Sequence, residues 1–104
     1  MPNSLQNLQW LDLSHNYLTV LDKEIGNFAN LKSLYLHANY ISDINEFLKL
    51  GNLKNLRSLS VHGNPLVRIP NFRVYFISLF PSLKKLDTVL ISVKERENTK
   101  VWIN

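Results

Sequence analysis

The sequence predicts an α/β solenoid, a fold in which short coils of chain stack side by side and share one parallel β-sheet. Two observations predict it. A motif of aliphatic residues recurs along the chain at nearly constant spacing, and an asparagine stands at the same place in successive copies. Self-similarity at intervals of about 20–50 residues is typical of repeat architectures, so the repeats determine the predicted fold.

The clearest copy of the motif is residues 31–44, with the sequence LKSLYLHANYISDI. It reads Leu-x-x-Leu-x-Leu-x-x-Asn-x-Ile-x-x-Ile. Residues 8–21 match it at every required place, residues 56–66 match with valine as the third aliphatic residue, and residues 83–87 begin a fourth, partial copy. The copies start at positions 8, 31, 56 and 83, which is the spacing of leucine-rich repeats.

Each Leu-x-Leu predicts a short strand, because side chains alternate between the two faces of a strand. The aliphatic residues then form one continuous core, and the residues between them face the concave side. The predicted core residues of the strands are Leu11, Leu13, Leu34, Leu36, Leu59 and Val61. The expected fold is one domain over residues 1–104, a right-handed solenoid with its parallel sheet on the concave face.

The recurring asparagines Asn16, Asn39 and Asn64 stand where each coil must turn away from its strand. An inward-facing amide can bond backbone groups of neighbouring coils that would otherwise lack partners. A buried amide is costly unless it is paired in this way. A fixed position in every repeat therefore favours a structural ladder over a binding role.

The return arcs are predicted from their apolar residues. The first, residues 16–30, has Leu18, Leu21, Ile25 and Phe28 as its core, and Gly26 argues against a long helix. The second, residues 42–55, has an apolar stripe that indicates a short helix capped by Asp43 or Asn45. The residues of that stripe are Phe47, Leu48, Leu50 and Leu53.

A helical C-terminal cap is predicted over residues of about 65–102. Aromatic residues at helical spacing indicate a helix over residues 72–80, with Asn71 as its N-cap and Pro81 as its stop. Residues 83–87 are expected to form a last short strand. Ser92-x-x-Glu95 is a capping box, so a second helix is expected from about Val93 to Trp102, with Trp102 anchoring it to the domain.

The composition indicates the cellular compartment of the protein. No apolar run reaches the roughly 18 residues of a membrane span, and MPNSLQNLQ lacks the features of a secretory signal. Cysteine and Asn-x-Ser/Thr are both absent from the sequence, which favours a reducing cytoplasmic compartment without membrane contact. Residues 1–7 resemble the tail of an earlier repeat. An uncapped edge is prone to aggregation, so a missing repeat or a contact that covers this edge is expected.

Charge is unevenly distributed along the chain. Residues 1–50 carry a net charge of −2 and residues 51–104 a net charge of +6. A basic half could face an acidic partner or nucleic acid. The basic residues are scattered and no RNA-binding aromatic motif accompanies them, so a solvated surface is the favoured interpretation and nucleic acid the lesser one.

The concave face is the predicted partner-binding surface, because its aromatic side chains offer large contact area at small entropic cost. Neighbouring strands lie about 4.8 Å apart, which makes His37 and His62 neighbours. A zinc site needs three or four ligands and Ser14 is a poor third, so metal binding is not favoured. The predicted contact residues are Trp10, Asp12, Ser14, Ser33, Tyr35, His37, Ser58, Ser60, His62 and Lys85.

Catalysis is not expected on this face. A hydrolase needs an oriented base and an oxyanion hole, and the sequence contains no GxSxG turn. With three glycines in the chain there is also no phosphate-binding loop, and no cofactor is predicted. Recognition of another protein, whose identity the sequence leaves open, is the predicted activity.

The sequence resembles the short intracellular class of leucine-rich repeat proteins, which includes a phosphatase regulatory subunit, a spliceosomal protein and an axonemal dynein light chain. The resemblance rests on Gly63-Asn64-Pro65-Leu66, Phe72-Arg73-x-Tyr75, Phe80-Pro81-x-Leu83-x-x-Leu86-Asp87 and Lys94-Glu95-Arg96, which look like the C-terminal cap of that class. It implies that Arg73 and Asp87 serve folding, and they are expected to pair with each other.

The resemblance also implies a biological role. LYLHANYI, LRSLSVHGNPL with FRVYF, and the ending Thr99-Lys100-Val101-Trp102 are similar to a small cytoplasmic member of the class that is associated with ciliated lineages. A role as a scaffold or as a subunit in ciliary assembly is therefore the first hypothesis. A ribonucleoprotein subunit and a phosphatase regulatory subunit are the two alternatives that the resemblance leaves open.

Overall fold

The computed structural model describes residues 6–103 of the chain, with side chains described up to Lys100. In this range five strands form a single sheet in the order in which they occur along the chain. The first four are parallel, and the fifth runs antiparallel to the fourth. The strands are β1 (Trp10–Asp12), β2 (Ser33–Tyr35), β3 (Ser58–Ser60), β4 (Lys85–Leu86) and β5 (Val89–Leu90). The predicted α/β solenoid is confirmed.

The register of the sheet aligns equivalent leucines of successive repeats. Leu11 pairs with Leu34, Leu34 with Leu59, and Leu59 with Leu86. The last three are fully buried, whereas Leu11 in the first strand is half-buried. Burial of each such side chain contributes about 1.5–3 kcal/mol, so this column is the main stabilising feature of the sheet.

The asparagines connect neighbouring coils through their side-chain amides. Asn64 is buried, accepts from the backbone N–H of Ile41 at 3.0 Å, and donates to the carbonyls of Leu36 and Val61 at 2.9 and 2.8 Å. Asn39 makes the same type of contacts one repeat earlier. Asn16 is exposed and its amide donates only to Leu13 and Ser14 in its own repeat.

The return arcs contain short 3-10 helices. They span Lys23–Asn27, Ile44–Leu50 and Pro65–Arg68. Asp43 caps the second of them by accepting from the backbone N–H of Asn45, as predicted. The prediction of Leu48 as a core residue is wrong, because its side chain is 59% exposed. A 3-10 helix has three residues per turn, so Phe47 and Leu50 share the buried face and Leu48 lies outside it. Leu53, which follows the helix, is also buried.

Two α-helices form the C-terminal cap, α1 (Phe72–Leu79) and α2 (Val93–Ile103). The Phe76 ring of α1 meets the Phe47 ring edge-on, with centroids 4.7 Å apart, which joins the cap to the repeat core. Asn71 does not cap α1 with its side chain, contrary to prediction, because its backbone is left-handed with φ of 63°. The side chain of Trp102 lies outside the described part of the chain.

The capping box at the start of α2 is half formed. The Ser92 hydroxyl accepts from the backbone N–H of Glu95 at 3.0 Å. The Glu95 carboxylate does not return this contact, because it binds the Arg73 guanidinium of α1 at 2.6 and 3.1 Å. Glu95 therefore connects the two cap helices and does not close the first turn of its own helix.

The predicted pair of Arg73 and Asp87 is wrong, because each has other partners. Besides Glu95, the Arg73 guanidinium donates to the backbone carbonyls of Leu86, Val89 and Leu90. Asp87 instead accepts from the backbone N–H groups of Val61 and His62, at 2.7 and 3.0 Å. At the last repeat the Asp87 carboxylate thus replaces the strand carbonyls of Tyr35 and Ser60, which accept from the equivalent N–H groups of Leu13 and Leu36 in the earlier repeats.

Strand β5 was not predicted. Asp87 and Thr88 connect it to β4 and have φ of 51° and 67°, which is the pattern of a two-residue type I′ hairpin turn. Such turns usually contain glycine, and Asp-Thr gives a weaker signal. The hairpin ends the parallel sheet and places Val89 and Leu90 at its last edge.

Within residues 6–103, no helix has the length and apolar character that a membrane crossing requires.

Candidate partner-binding face

The strand register arranges the concave side chains in rows that run across the strands. The first row is Trp10, Ser33, Ser58, Lys85 and Leu90. The second contains Asp12, Tyr35 and Ser60. Ser14, His37 and His62 directly follow the aligned strands at equivalent positions. The sheet therefore brings the predicted contact residues onto one surface, which we call the concave face.

Aromatic side chains occupy the N-terminal half of the concave face. The Trp10 and Tyr35 rings meet edge-on with centroids 5.9 Å apart, and Trp10 is 56% exposed. Tyr35 is half-buried, and its ring also meets the His37 ring edge-on, with centroids 6.3 Å apart. Because each ring supports the next, these side chains are held in place before a partner arrives, and this reduces the entropic cost of binding.

Four serines and an aspartate have different environments on this face. Ser33 and Ser58 are half-buried and form a shallow floor between Trp10 and Lys85. Ser60 was predicted to contact a partner, but only 6% of it is exposed because its hydroxyl bonds His37 Nδ1 at 2.7 Å. The Ser14 hydroxyl donates to Asp12, and this hydrogen bond holds the pKa of Asp12 below its usual range.

Three imidazoles form a column beside the second row. The rings of His37 and His62 are stacked, with centroids 4.6 Å apart and planes 8° from parallel. His15 meets His37 edge-on at 5.2 Å, and His62 Nδ1 lies 3.1 Å from an Asp87 carboxylate oxygen. The proximity of His37 and His62 follows from the repeat register. His15 was missed, because its backbone is left-handed with φ of 59° and breaks the strand alternation.

The imidazole column is not arranged as a metal site. Nitrogen lone pairs lie in the plane of their ring, so two nearly parallel stacked rings do not direct them at one ion. Among the described residues, no group of three or more histidine, aspartate or glutamate side chains is placed to hold a metal.

The column predicts a measurable pH dependence. Burial is the main cause that lowers the pKa of His37 below its usual value, and the neighbouring His62 and His15 lower it further. Asp12 and Asp87 act in the opposite direction. Because the unfolded chain then binds a proton more readily, His37 destabilises the fold as pH falls below about 6.5. We expect an NMR titration to place the pKa of His37 below its usual value, and we expect that pKa to rise in a His62→Ala variant. An unchanged His37 pKa in that variant would contradict the coupling.

Leu90 is a concave residue that the sequence did not indicate. It pairs with Lys85 across the β4–β5 hairpin, so its side chain lies on the same face as Lys85 and is 73% exposed. The only available signal was the Asp87-Thr88 pair between two aliphatic segments, which is a weak hairpin signature. The concave face is therefore one strand wider than predicted.

The comparisons with known proteins agree with this architecture. A family model described as leucine-rich repeat matches residues 2–103. Leucine-rich repeat-containing protein 51 of Macaca mulatta is 39% identical over 97 residues, which cover 93% of this chain and 50% of the relative. U2 small nuclear ribonucleoprotein A' of Mycosarcoma maydis is 35% identical over 97 residues, which cover 92% of this chain and 39% of the relative.

A solved structure shares the fold. A chain in the crystal structure of the Drosophila melanogaster SNF/U2A' complex matches with a TM-score of 0.87 and 26% identity, over 93% of this chain and 56% of that chain. This chain spans about half the length of the leucine-rich repeat-containing protein 51 relatives that it matches.

The predicted resemblance is confirmed. The small member of the class indicated by LYLHANYI, FRVYF and the C-terminal segment is leucine-rich repeat-containing protein 51, to which this chain is similar over most of its length. The family is in general a non-catalytic module for protein interaction, and the relatives named above do not carry enzyme names. The chain belongs to the leucine-rich repeat family.

Proposed function

We propose that this protein binds another protein through its concave face and catalyses no reaction itself. The observation that carries the proposal is the edge-on pair of Trp10 and Tyr35 on the first two strands of that face, in which Trp10 is 56% exposed and Tyr35 is half-buried. Exposed aromatic residues supported by their neighbours are typical of the residues that dominate binding energy at interfaces. The serine floor beside them leaves space for partner side chains.

A protein partner is favoured because apolar and polar side chains are mixed on this face. Aromatic rings, hydroxyls, imidazoles and one lysine lie side by side, so the surface can exclude water around apolar contacts while its rim forms hydrogen bonds. A role as a scaffold in the cytoplasm or in a cilium is part of the proposal. It rests on the similarity to leucine-rich repeat-containing protein 51, and fluorescence imaging of the tagged protein in ciliated cells tests it.

The binding prediction is tested with Trp10→Ala and Tyr35→Ala. Partners are captured from native cells on the wild-type protein, identified by mass spectrometry, and their affinities are then measured with purified components. We expect each substitution to weaken the identified complex about tenfold or more, since truncating a central aromatic residue costs roughly 1.4 kcal/mol or more.

The matched control is Tyr17→Ala. Tyr17 is at least as exposed as Trp10 and also contacts another ring, that of Tyr40, but it lies in the turn after β1 and outside the rows of the concave face. The proposal predicts wild-type affinity for this variant. Equal losses in the Tyr17 and Tyr35 variants would mean that the binding surface lies elsewhere.

A ribonucleoprotein subunit is the second candidate. It is supported by the similarity to U2 small nuclear ribonucleoprotein A' and by the net charge of +6 in residues 51–104. If the basic half contacts RNA, affinity for RNA must fall steeply as salt concentration rises, because bound counterions are released from the phosphates. A protein complex centred on Trp10 and Tyr35 should depend much less on salt.

A further inference from the structure

The end of the sheet carries a cluster of exposed apolar residues. Val89 and Leu90 of β5 and Val93 at the start of α2 are all more than half exposed, and Leu90 and Val93 are 73% and 81% exposed. They lie close together in sequence, on the hairpin edge and the adjoining helix start. Leu90 faces the concave side together with Lys85, whereas Val89 pairs with the buried Leu86 and faces the other side of the sheet, so β5 exposes an apolar residue on each side of the edge. We call these three residues, Val93 included, the hairpin patch. Several exposed aliphatic residues in one region mark an interaction site more often than scattered single ones do.

Three lysines accompany the hairpin patch. Lys85 is the cross-strand neighbour of Leu90, the carbonyl of Lys84 accepts from the backbone N–H of Ile91, and Lys94 follows Val93 directly. All three lysines are exposed, and none of them forms an ion pair with the part of the chain that the structure describes. Their positive charge is therefore available to an incoming group.

The acidic side chains in this region already have partners. Asp87 accepts from the backbone N–H groups of the two residues after β3, Glu95 binds Arg73, and Glu97 lies 3.6 Å from Lys100. The hairpin patch is thus an apolar centre beside unpaired cations. Complementary charges around an apolar contact determine which partner is accepted and how fast it associates.

We infer that the hairpin patch binds an acidic amphipathic segment of a partner protein, which packs an aliphatic or aromatic side chain against Leu90 and directs carboxylates at Lys85 and the neighbouring lysines. This inference rests on the proposed function and adds the chemistry of the partner at one end of the concave face. Leu90 and Lys85 belong to the same row as Ser58, Ser33 and Trp10, so one partner can cover both regions.

A protein is proposed as the ligand because the hairpin patch is continuous with the concave face. The row from Trp10 to Leu90 crosses five strands, which places its two apolar ends about 19 Å apart. A protein segment can contact both ends at once, and linked contacts of this kind reinforce each other. An anionic membrane or RNA would also use the lysines, and binding of either is an outcome of the test described below.

The experiment selects peptides from a random displayed library on the wild-type protein and measures their binding to variants. We expect the selected peptides to be rich in aspartate or glutamate beside a large apolar residue, and to bind at least tenfold more weakly to Leu90→Ser and to Lys85→Glu. The matched controls are Leu48→Ser, which removes another leucine that is more than half exposed, and Lys54→Glu, which reverses another exposed lysine. Both controls should bind as the wild type does.

Other outcomes would overturn the inference. Peptides that depend on Trp10 and Tyr35 but not on Leu90 or Lys85 would support the proposed function and reject the acidic partner at the hairpin patch. Peptides without acidic residues, or no selective enrichment, would also reject it. Sedimentation with phosphatidylserine vesicles and titration with oligouridylate are run in parallel, and binding to either that is lost in the Leu90→Ser and Lys85→Glu variants would assign the patch to a membrane or to RNA instead.

Discussion

Replacing Asn64 with alanine is expected to lower the free energy of unfolding by about 3–5 kcal/mol, the largest effect of a single polar substitution that we predict for this protein. The side-chain amide of Asn64 serves three backbone groups, the N–H of Ile41 and the carbonyls of Leu36 and Val61. Alanine cannot replace these contacts, and water has little access because Asn64 is buried. Each backbone group left unpaired then carries its desolvation cost.

The matched control for Asn64 is Asn16→Ala, at the equivalent position of the first repeat. The Asn16 side chain is exposed, and its amide donates only to Leu13 and Ser14 of its own coil. Water can take over both contacts, so a loss of well under about 1 kcal/mol is expected. Urea unfolding followed by circular dichroism measures both variants. Similar losses at the two positions would show that the contact between coils is not what stabilises the fold.

The hydrophobic core of the solenoid could be predicted from the sequence because its signal repeats. One Leu-x-Leu is ambiguous, but four copies at similar spacing specify both the strand face and the register, and Leu34, Leu59 and Leu86 align accordingly. The neighbouring positions of His37 and His62 on the concave face follow from the same register. Features that recur in every repeat are thus readable from a single sequence.

Features that depend on local backbone geometry were the ones that sequence reasoning missed. Leu48 was placed in the core because a helical period was assumed, whereas the arc is a 3-10 helix with a tighter period. His15 occupies a left-handed position that recurs at Ala38 and Gly63, but only the first repeat has a ring there. Leu90 lies on the concave face because of one hairpin. In each case the backbone conformation directs a side chain, and the spacing of the aliphatic residues does not reveal that conformation.

The cap illustrates the same limit for polar contacts. Arg73 and Asp87 were paired on the basis of resemblance, which indicates that both serve folding but does not give their partners. The hairpin turn directs Asp87 to the backbone of Val61 and His62, and α2 brings Glu95 to Arg73. Contacts between segments that are far apart in the sequence depend on the docked position of a whole helix, which local patterns do not specify.

Replacing Arg73 with alanine is expected to destabilise the fold by about 2–3 kcal/mol at neutral pH. The guanidinium connects Glu95 of α2 to the carbonyls of Leu86, Val89 and Leu90, so its removal loosens both α2 and the hairpin. The pair is only partly buried, and solvent screening keeps the loss below that of a fully buried ion pair. The control is Glu97→Ala, because Glu97 and Lys100 form a largely exposed pair whose removal should change stability very little.

The pH dependence separates the ion pair from the other contacts of Arg73. The hydrogen bond from Arg73 holds the pKa of Glu95 below its usual value, so the ionic part of the stabilisation is fully present above the unfolded pKa of about 4.3 and is lost as pH falls through the lower folded pKa. The difference in stability between wild type and Arg73→Ala should therefore be constant near neutral pH and shrink below about pH 4. It should not vanish, because the bonds from the guanidinium to the three backbone carbonyls do not titrate. A difference that stays constant down to pH 2, measured by urea unfolding at a series of pH values, would mean that Glu95 contributes nothing and that Arg73 acts through those carbonyls alone.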